Sequence, residues 1–263
     1  VTANQATPLS LQGLSILITR PQRQAERLAR AIENAGGHGI VFPTIEIQPI
    51  TDDRGLRAII GRLHDFQMAI FVSANAVEYA APLIVTNDLK NAIPRFAAIG
   101  KATRAALLEY GIDNVLTPTE HYDSEGLLDL ADMQNVAGKS IVIFRGEGGR
   151  EKLAETLRNR GAMVEYAACY QRVRPQQDIG ALSKRWQAGN IHAISAMSLE
   201  SLTNLYDILD ASTRRLLTTT PVFVPHPRIA KGAQALGLSK ICVTGASDDD
   251  LIKELSRTQC RIP

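Results

Sequence analysis

Short runs of aliphatic and β-branched residues alternate along this chain with longer stretches whose apolar positions recur every three to four residues. Residues 15–19, 69–72 and 141–144 are near-continuous apolar runs, the pattern of strands covered on both faces of a parallel sheet. Over residues 24–35, Ala25, Leu28, Ala29 and Ile32 share one face with Arg and Glu opposite, which predicts a helix. Gly36-Gly37 and Gly161 stand where such helices end and supply a left-handed stop. This alternation predicts an α/β fold of doubly wound parallel sheets with helices on both faces. Residues 42–48 and 167–173 differ. They carry Thr, Ile, Tyr and Val ahead of Pro49 or Pro175, and they read as extended strands that pair as a connector.

The pattern repeats. Gly13-Leu-Ser-Ile-Leu-Ile-Thr-Arg20 resembles Gly138-Lys-Ser-Ile-Val-Ile-Phe-Arg145, an offset of 125 residues. The same offset carries Gly36 to Gly161, Ser73 to Ser198, and Gly100 to Pro225. One register through several matches predicts two similar α/β units from an internal duplication. A length of 263 residues suits one to two domains.

Composition narrows the class. The chain is 45% hydrophobic and 21% charged, and Lys+Arg 29 against Asp+Glu 27 leaves a formal charge of +2, too balanced for a nucleic-acid coat. No apolar run approaches the ~18 residues of a membrane helix. The first thirteen residues lack the basic-then-apolar order of a signal peptide and read as a loose leader. Cys169, Cys242 and Cys260 show no metal or disulfide spacing, which fits a reducing, cytoplasmic setting.

Open parallel sheets gather ligands at the carboxyl ends of their strands, where helix N-termini point. Repeat-related pairs fall there: Arg20 with Arg145, Ser73 (followed by Ala74) with Ser198, and Gly100 and Thr103 with Pro225, His226 and Arg228. Tyr122-Asp-Ser124-Glu-Gly126 opens another helix, with residues 247–250 as its counterpart. Such ends suit anions. Taken singly, each Ser or Thr also reads as a helix cap, and each Arg as an ion-pair partner. Gly146-Glu-Gly148-Gly149 is a fragment of a phosphate-cradling loop without the full pattern. The five histidines have no metal spacing, no nucleophile elbow is present, and Cys169 reads as a small buried hydrophobe. Tyr170, in the connector strand, is either structural or a proton donor to something held between the domains.

Together these residues resemble the uroporphyrinogen-III synthase family. The most specific run is Ile143-Phe-Arg145-Gly-Glu-Gly-Gly149-Arg-Glu-Lys-Leu153, followed by Leu157-Arg-Asn-Arg160-Gly-Ala162 and Glu165-Tyr-Ala-Ala-Cys-Tyr170-Gln-Arg172. Leu17-Ile-Thr-Arg20-Pro21, Phe71-Val-Ser73-Ala-Asn75-Ala-Val77, Ile99-Gly100-Lys-Ala-Thr103 and Tyr122-Asp-Ser124-Glu-Gly126-Leu127-Leu128 support it, so that the likeness runs from about Leu14 to Leu255. In the second half, Pro225-His226-Pro227-Arg228 stands where the family often has a Gly…Thr pattern, so the resemblance makes His226 or Arg228 the candidate substitute for a threonine.

The resemblance implies two flavodoxin-like domains with the active site in the cleft between them. The first would combine residues 1–42 and 172–263, the second would span 45–168, and strands near 42–48 and 167–173 would connect them. It implies cyclisation of linear hydroxymethylbilane to uroporphyrinogen III, with loss of water and inversion of ring D, in tetrapyrrole biosynthesis. Tyr170 would act as general acid for the departing hydroxyl. Backbone N–H groups near Ser73, Thr103, Ser124 and Ser198 would hold carboxylates, with charge from Arg20 and Arg145. Further implications are no cofactor and no metal, no nucleic-acid or membrane partner, a monomer, and substrate handed over by hydroxymethylbilane synthase. Two other classes fit the residues alone: a hinge-closing binding protein for small anions, and a nucleotide-using α/β enzyme built on the 146–149 turn.

Overall fold

The structure, a computed structural model, describes residues 10–86, 95–149, 151–245 and 247–258. Most of the leader, residues 1–9, and Cys260 lie outside the described residues. In chain order the elements begin β1 (Ser15–Ile18), α1 (Gln22–Asn34), β2 (His38–Val41), β3 (Glu46–Pro49), α2 (Arg54–Gly61), β4 (Met68–Phe71) and α3 (Ala74–Thr86). Next come β5 (Phe96–Ala98), α4 (Lys101–Glu109), β6 (Val115–Leu116), α5 (Ser124–Leu128), α6 (Ala131–Gln134), β7 (Ser140–Gly146), α7 (Lys152–Asn159) and β8 (Met163–Val173). The chain ends through α8 (Ile179–Gln187), β9 (Ala193–Ser195), α9 (Leu199–Ile208), α10 (Ala211–Thr219), β10 (Val222–Val224), α11 (Pro227–Ala235), β11 (Ile241–Val243) and α12 (Asp248–Thr258).

The chain divides into two compact units. The first comprises Val1–Glu46 and Val173–Pro263, and the second comprises Ile47–Arg172. The first unit's sheet has the order β2-β1-β9-β10-β11, with every pair parallel. The second unit's sheet has the order β3-β8-β7-β4-β5-β6, and β8, β7, β4, β5 and β6 run parallel. Ser15 and Ser140 open β1 and β7, His38 and Met163 open β2 and β8, and Met68 and Ala193 open β4 and β9. Each of these pairs is 125 residues apart and takes the same place in its sheet. The matched glycines agree in conformation as well. Gly13 and Gly138 have φ of 77° and 74°, and Gly36 and Gly161 have φ of 84° and 85°, where a side chain would be strained.

Each sheet is covered on both faces. In β1, Ile16 and Ile18 point to α1 and α12, while Leu17 joins the cluster of α8, α9 and α11. In β4, Ala69 and Phe71 face α2, α3 and α4, whereas Met68 and Ile70 face α5, α6 and α7. Burying an aliphatic side chain fully contributes about 1.5–3 kcal/mol, so strands of only three or four residues persist.

Two local expectations change. Residues 42–45 are not strand: β2 occupies residues 38–41 and β3 begins at Glu46, separated by a buried segment in which Pro43 has no N–H for a ladder. β8 begins at Met163, before the expected 167, and β3 lies beside it within the six-stranded sheet. The leader also tightens before β1. Leu11 is fully buried against α1, and its N–H donates to the Ala35 carbonyl at 2.7 Å.

Candidate functional site

In the second unit, the carboxyl ends of β4, β5, β7 and β8 open into a cavity of about 340 Å³. Val72 and Ile99 follow β4 and β5, Arg145 and Gly146 end β7, and Tyr166, Tyr170 and Arg172 come from β8. Tyr122, Asp123 and Ser124 close one side at the start of α5. Its lining combines apolar side chains such as Ile143 and Leu153 with two arginines, three tyrosines and Asp123.

Arg145 is the most enclosed charge here, with its side chain 8% exposed. Its guanidinium donates to the Glu151 carboxylate at 2.9 Å and to the Gly148 carbonyl, and it lies 4.5 Å from the Tyr166 ring centroid. A Cβ at Gly149 would stand 2.8 Å from Arg145 Nη2, and both Gly148 and Gly149 have positive φ. The 146–149 turn is therefore wrapped around an arginine of its own chain. Tyr166 donates to Glu151 at 2.5 Å. The donation from Tyr166, and then that from Arg145, holds Glu151 below the usual carboxylate range. Burial, and then the bond to Glu151, pushes the Tyr166 phenol up.

Tyr170 is 1% exposed, and its ring lies beside Tyr79 with centroids 6.1 Å apart. Its hydroxyl is 3.2 Å from Ser73 Oγ and accepts an N–H from Arg172 at 3.2 Å. What aims it is a break in register between Arg145 and Gly146, where Arg145 opposes Ala168 but Gly146 opposes Tyr170. The break puts both Cys169 and Tyr170 on the α2, α3 and α4 side, although neighbours on a regular strand point oppositely. Gly146 makes room, since a Cβ there would come within 2.6 Å of the Tyr170 ring. Burial pushes the Cys169 thiol up to about 12, which leaves it inert.

The remaining expected residues of this unit fall around the same edge. Ser73 Oγ accepts the Ala76 N–H at 3.1 Å, and half-buried Ala74 opens α3 beside it. Gly100 caps α4 against Tyr122, whose ring lies 4.7 Å from Lys101 Nζ. Thr103 is buried on α4 and is not among the cavity's lining residues. At α5 the cap is Asp123, not Ser124, and it accepts the Gly126 N–H at 2.8 Å. That helix end thus already holds a carboxylate of its own.

The first unit carries Arg20, Ser198, His226 and Arg228. Arg20, only 4% exposed, donates to Asp248 at 2.5 Å, and its buried Nε has no partner. Ser198 caps α9 by accepting the Ser201 N–H at 3.1 Å. His226 caps α11 through Nδ1, accepting the N–H of Arg228, and both residues are exposed. Glu151, Tyr166 and Arg172 join the site beyond the residues that the sequence pattern points to. The signal for Arg172 was its place two residues beyond Tyr170 on one strand. Among the described residues, no His, Cys, Asp and Glu cluster could hold a metal, and no helix is long and apolar enough to cross a membrane.

Comparison with known proteins converges on one group. A family model described as uroporphyrinogen-III synthase HemD matches residues 26–253. The chain is 33% identical over 241 residues to uroporphyrinogen-III synthase of Escherichia coli (strain K12), covering 91% of this chain and 98% of that protein. It is also 33% identical over 242 residues to the Salmonella typhimurium enzyme of the same name, with the same coverage. Among solved structures, a mutant uroporphyrinogen III synthase from the extremely thermophilic bacterium Thermus thermophilus shares the fold at a TM-score of 0.66 and 14% identity, over 95% of this chain and all of that one. Uroporphyrinogen-III synthetase from Helicobacter pylori 26695 does so at 0.58 and 14%, over 94% and 99%.

Proposed function

The chain belongs to the uroporphyrinogen-III synthase family, and we propose that the cavity of its second unit carries the acid and anion chemistry of that reaction. The enzyme is a cyclising lyase of tetrapyrrole biosynthesis that converts linear hydroxymethylbilane to uroporphyrinogen III with loss of water and inversion of ring D. The substrate is a polycarboxylate that also closes unaided to the wrong isomer. Much of the task is therefore positioning, with effective concentration replacing a conformational search.

The observation that carries this reading is the Tyr170 hydroxyl at the cavity, buried and held by Ser73 and Arg172. Its proton passes to the departing terminal hydroxyl, the C–O bond breaks, and water leaves. The adjacent pyrrole nitrogen supplies the electron pair, giving an azafulvene cation. Arg145 supplies charge for a substrate carboxylate. Its partner Glu151 has a side chain 50% exposed, so their attraction is screened and exchange for another carboxylate costs little. The reading includes a soluble monomeric enzyme in the cytoplasm that takes its substrate from hydroxymethylbilane synthase.

Tyr170→Phe tests it with hydroxymethylbilane as substrate. A loss of about 100-fold in type III formation, in the range of general acid catalysis, is expected, with spontaneous type I product rising in proportion. Wild-type rate and isomer ratio in a folded variant would remove Tyr170 from the chemistry.

A further inference from the structure

We infer that Arg172 is a positioning residue that holds the Tyr170 hydroxyl and meets the negative charge that develops on it as its proton leaves, an inference that rests on the reading of Tyr170 as proton donor. The two residues stand two apart beyond the register break of β8, so their side chains leave the strand on the same side. The guanidinium carbon is 5.4 Å from the Tyr170 ring centroid and an Nη2 proton reaches the phenol oxygen, with the heavy atoms 3.2 Å apart. Both residues line the cavity.

Two consequences follow from donor and acceptor count. A guanidinium only donates, so it occupies a lone pair of the phenol oxygen and leaves the phenol's own proton for Ser73 or for a group in the cavity. Arginine also keeps its charge at all working pH values. When the proton moves to the departing hydroxyl, a phenolate forms at a buried oxygen already bonded to a cation. Positive charge beside it favours the charged form, and low local polarity strengthens the effect. The phenolate then takes back the proton released when the closed macrocycle regains aromaticity, so the residue returns to its starting state. The interaction is stronger in the transition state than in the ground state, and its loss therefore falls on kcat.

The test is a double-mutant cycle on the full chain with hydroxymethylbilane, using Arg172→Gln, Arg172→Lys, Tyr170→Phe and the two combinations. Arg172→Gln is expected to lower kcat about 10- to 100-fold with KM changed less than about threefold, and Arg172→Lys to recover part of the loss. In the Tyr170→Phe background the same Arg172 changes should have no further effect on kcat. Equal losses in both backgrounds, or a rise in KM with kcat unchanged, would overturn the inference by making Arg172 an independent or a substrate-binding group. Wild-type kcat in Tyr170→Phe alone would overturn the Tyr170 reading itself, and the inference with it. Arg172→Lys keeps the charge and serves the cycle if the glutamine variant does not fold.

Discussion

Arg20 and Arg145 stand at the same place on two sheets of the same strand order, yet their charges are held differently. Arg20 pairs with Asp248, whose side chain is 19% exposed, and Thr19 beside it is fully buried. Thr19 Oγ1 donates to Ser195, Thr44 Oγ1 donates to Ser201, and Asn204 donates to Thr44, so this edge is closed by its own hydrogen bonds. Arg145 pairs with a half-exposed glutamate and faces a cavity. At the register of Tyr170 the first unit has Ile45, and at the register of Cys169 it has Thr44. Asp123 and Asp248 also match by position. One caps its helix, while the other neutralises the arginine. Displacing Asp248 from Arg20 would strand a carboxylate that is itself mostly buried, whereas displacing Glu151 from Arg145 returns a half-exposed carboxylate to water. One edge is closed by its own hydrogen bonds, and the other opens on a cavity.

The contrast can be broken most sharply at Gly146. A valine there must displace the Tyr170 ring, and misplacing a reacting group by about 1 Å can cost on the order of 100-fold in rate. Gly146→Val should lose type III synthesis to that degree. Pro21→Ala, at the matching position of the first unit, should change it less than about twofold by the same assay.

Thr44→Val probes the closed edge. It removes the one hydroxyl proton that lies 2.9 Å (oxygen to oxygen) from the Ser201 carbonyl and within 3.3 Å of the Thr19 carbonyl, and should cost about 1–2 kcal/mol in chemical denaturation, with kcat unchanged. A fall in kcat would mean that this edge also takes part in the chemistry.

The smallest effect is expected at Tyr166. Because Glu151 is held below the usual carboxylate range in the folded state, its contribution to stability is present at neutral pH. That contribution fades as pH falls from the ordinary carboxylate value through the lowered one. Tyr166→Phe removes the largest cause, so the Glu151 carboxyl should titrate closer to its ordinary value in a carbon-13 NMR titration. An unmoved titration would show that Arg145 alone sets it.

Most of the fold was legible because apolar runs and glycine stops are local signals. Gly13, Gly36, Gly138 and Gly161 keep their positive φ where the pattern needs it, and the 125-residue register appears in both sheets. The site was legible in part. Tyr170, Arg145, Tyr122 and Ser124 do line one cavity. The strand period could not reveal the register break that turns Tyr170 to the same side as Cys169, since the break depends on how β7 pairs with β8. Nor could it show that Arg20 is buried against Asp248, 228 residues away, or that Asp123 rather than Ser124 caps α5. The burial of Leu11 is hidden for a similar reason, because a single apolar residue gives no periodicity.

The central claim, that the second unit's edge meets the substrate's charge while the first unit's holds the fold, is tested most directly by Arg145→Met and Arg20→Met side by side. KM for hydroxymethylbilane and the unfolding free energy are to be measured for both. The account predicts that Arg145→Met raises KM at least about tenfold, the worth of one charged contact of roughly 1.4 kcal/mol or more, with little loss of stability. It predicts that Arg20→Met destabilises the fold by about 2–3 kcal/mol, somewhat below the cost of breaking a fully buried pair, and leaves KM near wild type. A raised KM in Arg20→Met together with an unchanged KM in Arg145→Met would contradict it.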